Sequence, residues 1–259
     1  MSGLVNPTVA RITLRATLSR KRALLFAIPA AVLIVLTLVL KATHAPSRAW
    51  PSHVLGTFGF SVLLPLTALI IGTSVLGAEV DDGSIVHLLA TPVRRFSVVA
   101  TKFGVATGLT IVFAAVPELI AALIAGGGSA SPLGGDKVGL VSISTSQFAT
   151  GLFVGALACS VIYNAVFVMV SVATTRAIAV GLLYVLVWET LLANFVSGVR
   201  LLSVSHYGLG IAGGFVTDPA LQAGLGVLTS VVMGIIVTAA ALLLAVSLLS
   251  SFTLKGEPA

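Results

Sequence analysis

Six long apolar runs constrain the fold of this 259-residue chain more than any other feature of its sequence. A helix needs roughly 20 apolar residues to cross about 30 Å of hydrocarbon, and each run reaches about that length. Only 8% of the residues are charged, whereas soluble domains average about a quarter. The sequence therefore predicts a single all-α integral membrane domain over residues 1–259. Its six predicted transmembrane helices cover approximately residues 23–40, 54–77, 103–125, 147–173, 177–196 and 222–251.

Basic residues before the first run predict the orientation of the chain in the membrane. There are five of them, Arg11, Arg15, Arg20, Lys21 and Arg22, and the positive-inside rule places such a flank in the cytoplasm. An even number of spans returns the carboxyl terminus to the same side. The basic residues are thus interpreted as topology signals rather than as a nucleic-acid-binding surface. The first run has 18 residues, longer than the apolar core of a secretory signal peptide, so we expect it to be retained.

Residues 5–22 have the pattern of an amphipathic helix. Apolar residues recur at helical spacing on one side, whereas Arg11, Arg15 and Arg22 cluster on another. The pattern predicts a helix that lies on the inner surface of the membrane. The alternative is that these arginines only set the topology and attract anionic lipid.

Few polar residues fall within the predicted spans. Glu118 and Glu189 are the carboxylates there, and Asn164 is a further hydrogen-bonding residue. Polar groups inside a membrane are costly and usually face a cavity or a partner, so all three are candidates for a translocation path or a dimer contact. The alternatives are that both carboxylates lie near the outer interface and that Asn164 only packs helices together. The segment from Leu201 to Phe215 is too short to span and is predicted to be re-entrant or interfacial.

Motifs for common catalytic chemistry are absent from the sequence. A phosphate-binding loop needs a Gly-Lys dipeptide, and the chain has none, so ATP would have to be bound by another polypeptide. No histidine is followed by glutamate, which excludes the His-Glu-x-x-His zinc motif, and Cys159 is the single cysteine. We therefore predict no enzymatic activity, no catalytic residues and no metal site in this chain.

The segment between the second and third runs is the most informative part of the sequence. Acidic residues at its start favour the positive end of a helix dipole, an apolar patch at i, i+3 and i+4 follows, and Pro92 ends the pattern. Arg94, Arg95 and Lys102 then lead into the third run. A short amphipathic helix of this kind is suited to docking into a groove of a soluble partner. The alternative is a polar loop whose apolar residues rest against lipid headgroups.

The order of residues in this segment resembles that of the permease subunits of ABC-2 type transporters. The shared pattern is Gly-x-Glu, Asp-Gly-Ser-Ile and Leu-Leu-Ala-Thr-Pro-Val-x-Arg, followed by a lysine that opens the next span. The resemblance implies a type V exporter fold in which this segment is a coupling helix seated in a cleft of the partner ATPase. The implied contact residues are Glu79, Asp81, Asp82, Gly83, His87, Leu88, Leu89, Pro92, Arg94 and Arg95. The uninterrupted Asp81-Asp82 pair departs from the family pattern.

The resemblance also implies a function and a set of partners. The chain would be the permease subunit of an ATP-driven ABC exporter in the bacterial inner membrane, paired with a second copy or with a homologous permease. Two copies of a separate ATPase would bind ATP and Mg, and this chain would hold no cofactor. A stand-alone proton-coupled secondary transporter or channel, with Glu118 or Glu189 as the coupling carboxylate, is the alternative function. A non-transporting membrane scaffold is a third hypothesis.

Overall fold

The computed structural model describes residues 7–44, 50–81, 95–127, 129–130, 141–142, 144–193, 197–216, 221 and 224–251. Within these ranges the chain forms eight helices, which we number in chain order. They are α1 (Pro7–Thr17), α2 (Arg20–Ala42), α3 (π-helical over Ser52–Leu63, then α-helical over Leu64–Asp81), α4 (Arg95–Thr110, π-helical Ile111–Ala115, then Val116–Ala125), α5 (Thr145–Ala173), α6 (Ala177–Leu183, then π-helical Tyr184–Leu192), α7 (Val204–Ala212) and α8 (Val227–Ser251).

Two short elements accompany the helices. A 3₁₀ turn over Ser197–Leu202 precedes α7, and β1 (Ser129–Ala130) pairs antiparallel with β2 (Val141–Ser142). Apart from this two-residue pairing, the regular structure of the described residues is helical. The prediction of an all-α protein is therefore confirmed for this part of the chain.

Five helical stretches in the described residues are long and apolar enough to cross a membrane. They are Arg22–Ala42, Ser52–Val75, Phe96–Ala125, Thr145–Ala173 and Val227–Leu249. These stretches coincide with five of the six predicted runs. The remaining run, 177–196, forms a shorter apolar helix over Ala177–Leu192. The crossing of the membrane at this point stays a prediction.

Two predicted boundaries differ from the observed helices for local reasons. The sixth run was predicted to start at residue 222, but α8 begins at Val227, because Gly224 adopts a φ of +68° that interrupts a helix. The third run was predicted to start after Lys102, but α4 begins at Arg95 and includes this lysine in its interior. A charged residue that is buried between helices does not mark the end of a span.

The amphipathic pattern over residues 5–22 extends over two helices. Helix α1 ends at Thr17, and α2 begins at Arg20, so Arg22 belongs to the first turn of α2 rather than to the helix of Arg11 and Arg15. The face of α1 that is buried against the rest of the chain carries Thr13 and Thr17. The apolar side chain of Ile12 is instead 63% exposed.

Helix α5 lies at the centre of the packed helices and contacts α3, α4, α6, α7 and α8. Its Tyr163 and Phe167 are fully buried, with ring centroids 5.9 Å apart, and Phe167 meets Tyr184 of α6 edge-on at 6.2 Å. Helices α2 and α8 are peripheral, since 17% of the residues in each of these spans are buried inside the chain, against 67% for the span in α3. The outward faces of α2 and α8 are thus available to lipid or to another subunit.

Helix α7 packs unusually close to α5. A Cβ atom on Gly155 of α5 would lie 2.5 Å from the carbonyl oxygen of Gly208, and a Cβ on Gly208 would lie 2.2 Å from Sγ of Cys159. Such distances leave no space for a side chain at either glycine. The central part of the segment that the sequence predicted to be re-entrant or interfacial, Val204–Ala212, is therefore a buried helix held against the centre of the bundle, whereas Leu201, Leu202 and Phe215 at the two ends of the segment are exposed.

Candidate functional site

The fully buried Glu189 carboxylate lies at the centre of a polar network. Its Oε1 accepts hydrogen bonds from the hydroxyl of Tyr184 at 2.8 Å and from the backbone N–H of Val204 at 2.9 Å. Its Oε2 accepts from the hydroxyls of Ser203 at 2.6 Å and Ser205 at 2.8 Å, and from the backbone N–H of Ser205 at 3.3 Å. Glu189 is 0% exposed. The carboxylate is thus accommodated by at least five hydrogen-bond donors from its own chain.

Four of these donors come from Ser203, Val204 and Ser205 at the amino-terminal end of α7. The first N–H groups of a helix lack partners within the helix, and the aligned peptide dipoles make this end positive. Ser203 is the N-cap of α7, but its hydroxyl does not bond to the helix backbone and instead donates to Glu189. The carboxylate from α6 therefore caps α7 from outside and ties the two helices together.

His206 extends the network on the side of the serines. Its Nδ1 lies 2.9 Å from the hydroxyl of Ser203. Burial lowers the pKa of His206 from its ordinary value of 6.5, with a further lowering from Arg200 and an opposing contribution from Glu189. The ring is therefore neutral near pH 7 and can exchange hydrogen-bond donor and acceptor roles with the serine hydroxyl.

Glu118 is buried in a very different environment. It is 2% exposed, and its Oε1 has no hydrogen-bond partner in the described part of the chain. The carboxyl group of Glu118 packs against the backbone of Gly59. A Cβ atom on Gly59 would lie only 2.7 Å from each carboxyl oxygen of Glu118, so there is no space for a side chain at this position. A cavity of about 10 Å³ adjoins it, which is near the space that one water molecule needs. The two buried carboxyl groups thus differ sharply in the number of hydrogen bonds that they accept from the described chain.

Both carboxylates occur where a helix departs from α geometry. Glu189 lies inside the π-helical part of α6, and Glu118 follows the π-helical part of α4 by a few residues. Gly59, which contacts Glu118, lies in the π-helical part of α3. Single π-helical turns occur frequently at functional sites. Of these three residues, Glu189 and Gly59 lie within π-helical segments.

Asn164 connects three helices in the core. Its Nδ2 donates to the hydroxyl of Thr110 in α4 at 2.8 Å and to the carbonyl of Ser160 in α5 at 2.7 Å. Its Oδ1 has no partner among the described residues and faces Gly72 of α3, where a Cβ would lie 3.2 Å away. These contacts fit the helix-packing role that the sequence left open for this residue.

The residues predicted to contact an ATPase lie at or beyond the limits of the described structure. Glu79 and Asp81 belong to the last turns of α3, and Arg95 is the first residue of α4. The others, Asp82, Gly83, His87, Leu88, Leu89, Pro92 and Arg94, lie outside the described residues. Their predicted contacts therefore stay predictions.

Lys102 joins the two helices from which this segment departs. The side chain is 1% exposed, and its Nζ donates to the carbonyl oxygen of Val75 at 2.9 Å. Val75 lies in α3 and Lys102 in α4, about two turns from the residues that bound the segment on either side. The bond thus fixes the ends of α3 and α4 relative to each other.

Lys102→Met should lower the free energy of unfolding of the purified chain by about 2 kcal/mol. Methionine keeps the packing of the aliphatic part of the lysine side chain, but the buried, charge-assisted hydrogen bond is lost. Thermal unfolding in detergent measures the change. The matched control is Lys41→Met, since the exposed Lys41 also donates to a helix carbonyl, that of Ile124. A loss at Lys41 as large as that at Lys102 would show that burial of the lysine is not the cause.

The described residues contain no group of three or more His, Cys, Asp or Glu side chains that could hold a metal ion. The network partners Tyr184, Ser203, Ser205 and His206 were not among the residues predicted from the sequence. The signal available in the sequence was the Ser-x-Ser-His run directly before a short apolar segment, a typical start of a helix. Nothing in the sequence indicated that a carboxylate from the preceding helix would bind there.

Comparison with known families identifies the chain. Residues 17–188 match a family model described as ABC-2 family transporter protein, which covers more than half of the sequence. The chain belongs to the ABC-2 transporter family. The resemblance noted in the segment after α3 is thereby confirmed. No curated protein matches the chain.

Membership in the ABC-2 family defines the general role of the protein. The protein is a multi-pass membrane subunit of an ABC transport system, without an ATPase site of its own. Membership in the family also implies an ABC ATPase as partner. The match includes the segment 82–94 and ends one residue before Glu189. The part of the chain that forms the Ser203–His206 side of the network therefore lies beyond the matched region.

Proposed function

We propose that the chain is the permease subunit of an ATP-driven exporter, working as a pair of permeases with two copies of an ATPase in the bacterial inner membrane. ATP and Mg bind to the ATPase subunits. ATP-driven closure of the ATPases moves the coupling segment over residues 79–95, and this motion changes the exposure of a path between the two permeases. The single observation that carries the proposal is the ABC-2 family match over residues 17–188, which contains this segment.

The joint between α3 and α4 supports the coupling role. A segment that transmits force must be attached to elements that move together. The buried bond from Lys102 to Val75 provides such an attachment near both ends of the segment. Motion of the segment then moves α3 and α4 together, because the bond prevents the two helices from separating.

The amino-terminal helix supports an orientation with both termini in the cytoplasm. Ile12 and Leu14 of α1, and Leu18 directly after it, are 63%, 43% and 42% exposed. Arg11 and Arg15 of α1 are also exposed. Uncovered apolar and basic side chains on one short helix suit the boundary between acyl chains and headgroups. The basic flank places this helix on the cytoplasmic side.

The decisive experiment is purification of the tagged chain from its native membrane in mild detergent. We expect an ABC ATPase to co-purify in a 1:1 ratio and to hydrolyse ATP in a vanadate-sensitive reaction. Glu79→Lys reverses a charge at the start of the coupling segment and should remove most of the bound ATPase. Asp136→Lys makes the same change in a predicted outer loop and serves as the matched control, with ATPase binding unchanged.

Two results would contradict the proposal. One is a chain that purifies alone yet supports transport in vesicles driven only by a proton gradient, which would favour the proton-coupled carrier. The other is a bound ATPase that is retained by Glu79→Lys and lost by Asp136→Lys, which would place the docking site on the opposite side of the chain.

A further inference from the structure

A cavity of about 690 Å³ lies between the beginning of α2, the second half of α3 and the beginning of α6. Its volume is within the range of sites that hold small organic molecules. Arg22 in the first turn of α2 and Arg176 directly before α6 both line it. Two arginines that are distant in sequence therefore line one cavity.

The cavity is polar at one end and apolar along its depth. One turn beyond Arg22, α2 contributes Leu25 and Phe26, and α6 contributes Ile178 and Leu182 beyond Arg176. Since both helices run away from the arginines at about 1.5 Å per residue, the charges lie at the rim and the apolar side chains lie deeper. This is the polarity of an amphiphile with an anionic head and an apolar tail.

The apolar walls are accessible from outside the chain. Leu25, Ile178 and Leu182 are 47%, 62% and 40% exposed. Leu25 lies on the peripheral helix α2, and Ile178 and Leu182 lie on the exposed side of α6, so lipid can reach both walls if the two helices are in the membrane as predicted. A molecule can thus enter the cavity sideways from the bilayer.

Neither guanidinium is neutralised by the part of the chain that the structure describes. Arg22 donates a single long hydrogen bond, 3.4 Å, to the carbonyl of Ala16, and both arginines are exposed. Among acidic residues, the structure describes the side chains of Glu118 and Glu189, and both are buried elsewhere in the bundle. The rim of the cavity therefore presents two positive charges that an anionic group would complement.

A second cavity of similar size provides an internal contrast. It measures about 680 Å³, lies between α5 and α8, and is lined by apolar residues with the hydroxyls of Ser230 and Thr238. No charged side chain lines it. An acyl chain could occupy either cavity, but the arginine-lined cavity offers a place for an anionic headgroup.

We propose that the cavity of Arg22 and Arg176 binds an anionic phospholipid from the leaflet on the amino-terminal side. The phosphate lies between the two guanidinium groups, and the acyl chains follow the apolar walls of α2 and α6. This site goes beyond the proposed transport function. Because lipid binding is measured on the chain itself, its failure is distinguishable from the absence of a partner ATPase.

Native mass spectrometry of the purified chain, titrated with phosphatidylglycerol or zwitterionic phosphatidylethanolamine, tests the proposal. We expect phosphatidylglycerol to bind more tightly. Arg22→Gln and Arg176→Gln should each weaken its binding about fivefold, and the double variant about 25-fold. Ala179→Phe, which fills the cavity without changing a charge, should also reduce binding. This variant keeps the test independent of the arginines if their replacement impairs folding.

The control is the double variant Arg11→Gln, Arg15→Gln, which removes the same charge from α1, outside the lining of the cavity. It should bind phosphatidylglycerol as the unmodified chain does. Equal losses in the two double variants would overturn the proposal in favour of general surface charge. Release of the lipid by an equal concentration of inorganic phosphate would also overturn it, because the cavity would then recognise free phosphate alone.

Discussion

Replacing Glu189 with alanine is expected to lower the thermal unfolding midpoint of the purified chain by about 6–12 °C. The truncation removes the acceptor of five hydrogen bonds in a fully buried site. The serine hydroxyls can turn to each other and to His206, but the N–H of Val204 and the hydroxyl of Tyr184 are left without a partner. Loss of such a buried network costs roughly 3 kcal/mol or more.

Glutamine variants at the two buried carboxylates provide the matched comparison. Glu189→Gln keeps one acceptor oxygen but directs an amide donor at the N–H of Ser205, so its midpoint should fall between those of Glu189→Ala and the unmodified chain. Glu118→Gln replaces a buried carboxyl group whose Oε1 has no described partner, so the substitution should be neutral or stabilising. Equal losses at both positions would show that the hydrogen-bond network does not determine the cost.

The spans could be predicted from the sequence, because their signal is local. A long apolar run needs no knowledge of its neighbours to be identified as a membrane helix, and five of the six runs coincide with helices long enough to cross. The observed start of α4 at Arg95, ahead of Lys102, shows the limit of predicting spans from local sequence alone. The sequence records that a lysine is present, but its burial against Val75 depends on the packing of another helix.

The network around Glu189 could not be predicted for the same reason. Glu189 and Ser203 are 14 residues apart, and a 3₁₀ turn lies between their helices. Glu189 also lies in the π-helical part of α6, where a side chain points in a different direction from that in a regular α-helix. No local sequence pattern indicated this π-helical segment. The sequence therefore identified Glu189 as important by its cost in a membrane but assigned it no partner within the chain.

Glycines at four-residue spacing illustrate the limit most directly. The pairs Gly104 and Gly108 in α4 and Gly151 and Gly155 in α5 have the same spacing and predict the same close approach of helices. In the structure only the second pair meets another element of the chain. A Cβ on Gly104 or Gly108 has no atom within 4 Å, whereas one on Gly155 would overlap the backbone of α7.

This difference predicts the second large effect. Gly155→Val should destabilise the chain by about 3 kcal/mol, because its Cβ lies 2.5 Å from the carbonyl oxygen of Gly208, and a backbone atom can yield only if α7 moves. Gly104→Val is the matched control and should be neutral or slightly stabilising, since glycine is the poorer helix former. Thermal unfolding of both variants gives the comparison.

Cys159 reports directly on the position of α7 in these variants. It is the single cysteine, it is fully buried, and its thiol donates to the carbonyl of Val204 at 3.4 Å. A maleimide should therefore label the unmodified chain and Gly104→Val slowly, and Gly155→Val at least tenfold faster, because separation of α7 from α5 exposes the thiol. Unchanged labelling in a destabilised Gly155→Val would mean that α7 stays in place and that strain is relieved elsewhere. The packing of α7 against α5, and with it the burial of the Glu189 network, would then not depend on the absence of a side chain at residue 155.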